Sequence, residues 1–228
     1  MPFTLHASAG SCSLAPHIVL EEIGKPFSLA MISTDRGDAR TAEFKKINPK
    51  GRVPVLVDGA FLLTEAPAIL LHLAQTSPQA DLMPQGHDGL IRAVEWFNWL
   101  SGTVHAVAVR MIWRADYFTA DAGRTEPVKD KGVEHLAAAH ALIEERMRGK
   151  TWVVGDNYSV VDPYLLVFYR WGNRMQIDMR NKYPAWTEHA RRMSERAAVK
   201  RALATEGISI WEKPGMTSNE RRASDSEA

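Results

Sequence analysis

The sequence predicts an α/β domain followed by an all-helical domain, and three observations support this division. Strand and helix signals alternate over about the first eighty residues. After Pro84 the strand signals fade and helical periodicity prevails. Between these regions, residues 76–88 are rich in Ser, Pro, Gly and Asp, a composition typical of a linker. Strands that alternate with helices predict a sheet with helices packed on its faces.

We therefore divide the chain into an α/β domain at residues 1–80, a linker at 81–87, a helical domain at 88–213 and a tail at 214–228. The tail is polar and charged, and we expect it to be disordered because it has little apolar surface to bury. With 228 residues, the chain is long enough to bury a sizeable core.

The first half of the α/β domain has the pattern strand, helix, strand, short helix. Gly24 suits the position just after the first helix, and Pro26 prevents that helix from continuing. The predicted bounds are residues 3–7, 14–23, 27–32 and 41–47.

A β-hairpin and a helix complete this domain. Two apolar runs, at residues 53–57 and 61–64, flank Asp58-Gly59, a dipeptide typical of tight hairpin turns. A helix is then predicted at residues 68–74.

The helical domain should contain four main helices, at residues 90–111, 135–148, 160–171 and 186–203. The third is apolar nearly all round, so we expect it to form the domain core. Ser159 and Asp162 provide a cap and an acidic N3 residue at its start.

Composition excludes several classes of function. The net charge of +1 is too balanced for a nucleic-acid binder. No apolar run reaches the ~18 residues that suggest a membrane span. The first ten residues lack the pattern of a secretory signal. Cys12 is the sole cysteine, which excludes an internal disulfide and fits a reducing cytosol, so we expect a cytoplasmic protein.

Three short segments have residue types that suit a binding site. Pro54 lies at the start of a strand. Glu65 and Ala66 begin a helix whose free N–H groups can bind an anion. Cys12 precedes a helix N-terminus, which should lower the pKa of its thiol. Each residue also has an ordinary structural explanation. Pro54 can be a trans proline at a strand start, Glu65 an acid at a helix N-terminus, and Cys12 a small buried side chain.

Four segments together resemble the glutathione transferase family: residues 11–17 (SCSLAPH), 48–54 (NPKGRVP), 63–69 (LTEAPAI) and 159–162 (SVVD). The likeness is greatest to the bacterial beta class and covers roughly Pro2 to Trp211. It implies a thioredoxin-like N-terminal domain, an all-α C-terminal domain and a cytoplasmic homodimer. It also implies a detoxifying enzyme with glutathione as its co-substrate, no metal, and no nucleic-acid or membrane partner.

The resemblance assigns roles to N-terminal residues. It implies that a cis peptide joins Val53 to Pro54 and that the Val53 backbone pairs with the cysteinyl part of glutathione. Glu65 and Ala66 match positions that hold the γ-glutamyl end. Cys12 matches a cysteine beside the glutathione sulfur, which can form a mixed disulfide with it. Ser13 matches a hydroxyl that steadies the thiolate, and Ser11 lies in the same contact segment.

In the helical domain, Asn98 and His105 match positions that approach glutathione, and His105 is the candidate catalytic group there. Met111, Trp113 and Tyr117 are candidates to line a pocket for a small hydrophobic electrophile, although core packing explains them equally well. Arg110 and Arg114 lie four residues apart and are expected on a solvated face.

The chain departs from the family pattern at several positions. The end of the first strand, His6-Ala7-Ser8, lacks the usual tyrosine, and Arg36 is the candidate substitute for a missing loop lysine. Ala66 replaces a common serine and keeps only its backbone N–H. Ala106 replaces a basic residue after His105.

The predicted activity is therefore glutathione transfer, in which Cys12, Ser13 and His105 tune the glutathione thiol for attack on a hydrophobic electrophile. One alternative is a glutathione-dependent thiol–disulfide oxidoreductase or peroxidase that uses Cys12 as nucleophile. The other is a non-catalytic binding or regulatory protein with the same fold.

Overall fold

The computed structural model describes residues 2–213 and 215 and begins with a four-stranded sheet. The strands are β1 (Phe3–Ala7), β2 (Phe27–Met31), β3 (Val55–Asp58) and β4 (Phe61–Thr64), in the order β2-β1-β3-β4. β1 pairs with β2 in parallel and with β3 in antiparallel orientation, and β3 and β4 form the predicted antiparallel hairpin.

Three helices belong to this α/β domain: α1 (Leu14–Ile23), α2 (Ala42–Ile47) and α3 (Ala66–Thr76). Gly24 ends α1 in the predicted left-handed conformation, with φ of 69°. The Phe44 N–H donates to the Thr41 hydroxyl oxygen at 3.2 Å and so caps α2. The predicted order of elements is confirmed, although β3 begins at Val55 because the Val53–Pro54 segment cannot join the ladder.

The helical domain follows after a short turn of 3₁₀-helix at Pro78–Ala80. Its elements are α4 (Gly86–Asn98), a π-helical segment (Trp99–Val109), α5 (Arg110–Trp113), α6 (Thr125–Met147), α7 (Val161–Arg174), α8 (Met179–Lys182), α9 (Pro184–Glu195) and α10 (Ala197–Glu206).

Two predictions about these helices were wrong. The continuous helix expected at residues 90–111 changes from α to π geometry after Asn98. The helix expected at residues 186–203 is two helices, because Arg196 is extended, with φ of −67° and ψ of 133°. Neither change involves a proline or glycine at the break, so the sequence contained no local signal for it.

Helix α7 forms the core of the helical domain, as predicted. All its residues from Val161 to Asn173 are buried. The Asp162 carboxylate accepts the Ser159 N–H at 2.8 Å and the Val153 N–H at 3.0 Å, and it contacts His189 Nε2 at 2.9 Å. The carboxylate half of the expected capping interaction is therefore present, but the N-cap residue is Val160, so Asp162 is at N2 and not at the predicted N3.

The two domains are joined through the peptide groups of Gly10. Its N–H donates to Glu206 Oε2 at 2.7 Å, and its carbonyl oxygen accepts from Arg170 Nη1 at 3.1 Å and Trp171 Nε1 at 2.9 Å. One cluster of buried apolar residues includes side chains from both domains. The division at residues 81–87 therefore stays a prediction.

Two further expectations concern the chain as a whole. Within the part of the chain that the structure describes, no helix combines the length and apolar character needed to cross a bilayer. The predicted disorder of residues 214–228 lies outside the described residues, apart from Gly215.

Candidate functional site

A pocket of about 200 Å³ lies between the two domains. It is lined from the α/β side by Cys12, Asn48, Arg52, Val53, Pro54, Thr64, Glu65, Ala66 and Pro67, and from the helical side by Ser101, Gly102, His105, Ala106, Arg110 and Tyr164. A wider groove of about 610 Å³, along α1, β2 and α10, shares none of these residues. The smaller pocket is the candidate site because the sequence motifs converge there.

The α/β wall is built around the Val53–Pro54 peptide, which is cis, as the resemblance implied. Asn48 folds the loop before it: its Nδ2 donates to the Arg52 carbonyl oxygen at 2.6 Å, and its Oδ1 accepts the Lys50 N–H at 3.1 Å. A buried amide therefore fixes the approach of the chain to the pocket.

Glu65 stands beside this segment in an unusual backbone conformation, with φ of 72° and ψ of 117°. Non-glycine residues rarely adopt a positive φ, and such strain often marks a functional site. Its carboxylate accepts from Lys50 Nζ at 2.6 Å, and the same ammonium donates to Thr64 Oγ1 at 2.8 Å. Ala66 then begins α3, so the N-terminal end of that helix faces the pocket.

Cys12 lies in the pocket wall, but its thiol is not activated. Its Sγ–H donates to the Val53 carbonyl oxygen at 3.6 Å. Burial raises the pKa of the Cys12 thiol to about 12, and the nearby positive charges of Arg52 and Arg110 offset only part of this rise. The expected lowering of this pKa at a helix N-terminus was wrong, because desolvation of the thiolate exceeds the attraction of the surrounding positive groups.

Ser11 and Ser13 lie behind this wall and do not line the pocket. Ser13 is fully buried, and its Oγ accepts the Ser8 N–H at 3.0 Å and donates to the Ser8 carbonyl oxygen at 3.1 Å. The hydroxyl oxygens of Ser11 and Ser13 are 2.7 Å apart. These bonds shape the loop before α1, and the thiolate-stabilising role of Ser13 stays a prediction.

His105 comes from the π-helical segment and lines the pocket opposite Cys12. Its ring packs edge-on against Trp171, with the centroids 4.7 Å apart. Burial, followed by the positive charges of Arg110 and Arg52, lowers the pKa of His105 to about 4. At neutral pH the imidazole is therefore uncharged and can offer a single N–H donor.

Arg110, Arg52 and Tyr164 line the pocket but were not predicted to do so. Arg110 was expected on a solvated face, but it lines the pocket. That expectation rested on the four-residue spacing of Arg110 and Arg114, which does not register how the π-helical segment at Trp99–Val109 orients the turn that follows it. Arg52 adjoins the motif at Val53, which was the available signal, whereas Tyr164 is buried in the core helix and had none.

Besides Ser11 and Ser13, five predicted site residues lie away from the pocket lining: Arg36, Asn98, Met111, Trp113 and Tyr117. Arg36 is exposed and pairs with Asp38 at 3.1 Å, and Asn98 is exposed at the end of α4. The Trp113 ring packs against Trp171, and Tyr117 lies beneath the guanidinium of Arg110. Their binding roles stay predictions.

The described residues include no group of three or more His, Cys, Asp or Glu side chains that could hold a metal ion. The side chains available at the pocket include the neutral imidazole of His105, the protonated thiol of Cys12, the Glu65 carboxylate and the guanidinium groups of Arg52 and Arg110.

Comparison with known proteins agrees with this geometry. The glutathione S-transferase N-terminal domain matches residues 1–75, and the C-terminal domain of the same family matches residues 102–197. A glutathione S-transferase of Escherichia coli O157:H7 is 30% identical over 210 residues, which cover 87% of this chain and 96% of that protein. A glutathione S-transferase of Xanthomonas campestris is 29% identical over 208 residues, covering 90% of this chain and 98% of that one.

Solved structures of glutathione transferases also share the fold of this chain. A glutathione transferase homologue from Sulfitobacter with bound glutathione superposes with a TM-score of 0.84 at 27% identity, over 91% of this chain and 99% of that chain. A bacterial beta class glutathione S-transferase from Sphingomonas chungbukensis gives a TM-score of 0.77 at 30% identity, over 90% and 99% of the two chains. With both family domains matched in order and the same fold around the pocket, this chain belongs to the glutathione S-transferase family.

Proposed function

We propose that this protein binds glutathione in the pocket between its domains and activates the glutathione thiol for attack on a small electrophile. One observation carries the proposal: the cis peptide at Val53–Pro54, the strained Glu65 and the N-terminus of α3 at Ala66 meet in one pocket with Cys12 and His105. A γ-linked tripeptide has a carboxylate, an ammonium and a peptide backbone that suit these groups.

Each part of glutathione has a candidate partner in this arrangement. The Val53 backbone pairs with the cysteinyl unit, as in the family resemblance. The N–H of Ala66 donates to the γ-glutamyl carboxylate, an interaction favoured by the positive end of the helix dipole. Glu65 receives the ammonium in exchange for Lys50, whose exposed ion pair with Glu65 is worth about 1 kcal/mol or less.

The sulfur then lies near Cys12, where it needs stabilisation as a thiolate. A free thiol has a pKa of about 8.5, and lowering it by about two units is worth roughly 2.7 kcal/mol. The neutral His105 N–H and the positive charge of Arg52 are available for this. Proximity to a bound electrophile supplies the remaining acceleration.

Two measurements on the wild-type chain test this function. Titration calorimetry should detect glutathione binding, and conjugation of 1-chloro-2,4-dinitrobenzene should exceed the uncatalysed rate. Glu65→Gln should weaken glutathione binding about tenfold, because it removes the charge that pairs with the ammonium. Glu43→Gln is a matched control, since Glu43 is also exposed and pairs with a lysine, Lys46, outside the pocket. Absence of binding heat in the wild type would refute the proposal.

No feature of the described residues favours either alternative. An oxidoreductase would need the Cys12 thiolate, whose formation burial opposes. Disulfide reductase activity that depends on Cys12 and exceeds conjugation would reverse this judgement. The homodimer, the cytoplasmic location, the detoxifying role and the hydrophobic nature of the electrophile stay predictions from the family resemblance.

A further inference from the structure

We propose that the electrophile used by this protein has a carboxylate or similar oxyanion, and that Arg110 binds it on the helical side of the pocket. This inference rests on the proposed function and narrows it, because the expected electrophile was simply small and hydrophobic. The charged side chains that line the pocket differ in their positions and in their partners.

Arg110 is a half-buried cation without a counter-ion. Among the described residues, its guanidinium has no ion pair or hydrogen bond, and its contact is with the ring of Tyr117, 5.3 Å from the ring centroid. Arg114 contacts the same ring at 4.9 Å, but its Nε and Nη2 donate to the two Asp116 carboxylate oxygens, each at 3.2 Å. Two neighbouring arginines thus differ in whether their charge is neutralised.

The pocket as a whole has excess positive charge. Arg52 and Arg110 both line it, and Glu65 is its acidic side chain. Lys50 already neutralises Glu65, with the two charged groups 2.6 Å apart. His105 is uncharged at neutral pH, and Cys12 and Tyr164 are protonated there. Two like charges that face one pocket are stabilised when an anion binds between or beside them.

Glutathione accounts for only one of these arginines. Its γ-glutamyl carboxylate and ammonium are assigned to Ala66 and Glu65. Its glycyl carboxylate can reach Arg52, which directly precedes the Val53 backbone that holds the cysteinyl unit. Arg110 comes from the opposite wall, where a second substrate must lie to meet the sulfur. A guanidinium binds a carboxylate through two parallel hydrogen bonds, so it selects for that group.

A matched pair of electrophiles tests the proposal: 4-chloro-3,5-dinitrobenzoate and 4-chloro-3,5-dinitrobenzamide. In each, the glutathione sulfur forms a bond to the ring carbon that holds chlorine, the C–Cl bond breaks, chloride leaves with the bonding pair and the thiol proton passes to solvent. Each kcat/KM is divided by the uncatalysed rate constant with glutathione, which removes the difference in intrinsic reactivity. We expect the wild type to prefer the benzoate by about tenfold.

The variants locate the cause of this preference. Arg110→Gln should abolish it and leave normalised turnover of the benzamide within about threefold of wild type. Arg110→Lys should retain part of it, and Arg114→Gln should retain it fully because that charge is already paired. If the wild type turns over the benzoate and the benzamide at equal normalised rates, the proposal is overturned without any variant. The test therefore remains decisive even if Arg110→Gln fails to fold.

Binding of S-methylglutathione, which has no ionisable thiol, separates the other roles of Arg110. If Arg110→Gln weakens this binding as much as it lowers benzoate turnover, the arginine holds a carboxylate of glutathione and the proposal is wrong. If binding is unchanged and both electrophiles slow equally, the arginine acts on the thiolate, and the proposal is also wrong. Wild-type protein that binds glutathione but shows no charge preference overturns this inference alone; protein that does not bind glutathione overturns the proposed function as well.

Discussion

The two walls of the pocket present different kinds of chemical group to a ligand. The α/β wall offers backbone groups, at Val53 and at the start of α3, beside the side chains of Cys12, Arg52 and Glu65. The helical wall offers side chains, among them His105 and Arg110. A backbone wall keeps its hydrogen-bonding pattern whatever side chains surround it, so it suits a constant ligand such as glutathione. A side-chain wall changes with each substitution, so it suits the choice of the second substrate.

The walls also differ in how they are held in place. The α/β wall depends on local elements: the Asn48 turn, the hairpin and the first turn of α3. The helical wall depends on packing between distant residues, such as the contact of His105 with Trp171. Four predictions test this contrast, beginning with the contact that joins both walls.

The largest effect on stability is expected at Gly10, whose peptide groups join the two domains that form the walls. A Cβ at Gly10 would lie 2.3 Å from Arg170 Nη1, and its φ of 66° disfavours other residues. Gly10→Ala should lower the free energy of unfolding by about 4 kcal/mol in denaturant titrations. Gly24→Ala is the control, because Gly24 has a similar φ of 69° but open space around it, so only the backbone cost of about 1 kcal/mol applies. Equal losses in both variants would show that the Gly10 contact does not hold the walls together.

The next effect concerns the packed interior of the helical domain. His140 is buried between Tyr183 and Trp186, and burial lowers its pKa to about 3. The unfolded chain, with a histidine pKa of about 6.5, therefore binds more protons between pH 6.5 and 3 than the folded protein does. Stability should fall as the pH drops through this range, and His140 should contribute about 3 kcal/mol of the loss by pH 4.

The measurement is the difference in unfolding free energy between pH 7 and pH 4. His140→Gln should reduce this difference, whatever its own cost at pH 7. His87→Gln, at an exposed helix position, should leave it unchanged. An identical pH dependence in wild type and His140→Gln would contradict the assignment.

A smaller effect is expected from the backbone of the α/β wall. Ala66→Pro removes the N–H proposed to bind the γ-glutamyl carboxylate, at a helix position where proline is tolerated. Glutathione binding should weaken by about 2 kcal/mol, the value of a charge-assisted hydrogen bond. Ala66→Ser keeps the N–H and should bind at least as tightly as wild type. Calorimetry that finds equal affinities for the two variants would exclude a role for this N–H.

The smallest effect tests the strain at Glu65. Glu65→Gly and Glu65→Ala both remove the carboxylate, but only glycine adopts a φ of 72° without strain. The glycine variant should unfold with a free energy about 1 kcal/mol higher than the alanine variant, measured in urea. If the Glu65→Ala variant is as stable as the Glu65→Gly variant, the backbone at position 65 is not strained. Strain at Glu65 would then no longer indicate that the site is preorganised.

Much of the α/β wall could be predicted from the sequence. The bounds of β1, α1 and β4 were predicted because hairpin and cap signals are local, whereas the cis peptide before Pro54 was implied only by the family resemblance. The candidate site was only partly predicted: Cys12, Val53, Glu65 and His105 line the pocket, but the pKa of Cys12 moves in the opposite direction to the one expected.

The sequence by itself determined the order of elements and the buried core helix α7, since each depends on periodicity or on a few adjacent residues, and its family resemblance indicated the segments that we propose bind glutathione. Tertiary structure decided the protonation of Cys12 and His105 and the position of Arg110. A pKa depends on desolvation and on charges brought near by folding, and the π-helical segment that turns Arg110 into the pocket has no local signal. The physical reason is that these properties belong to the space between two domains, and that space exists only when both have folded against each other.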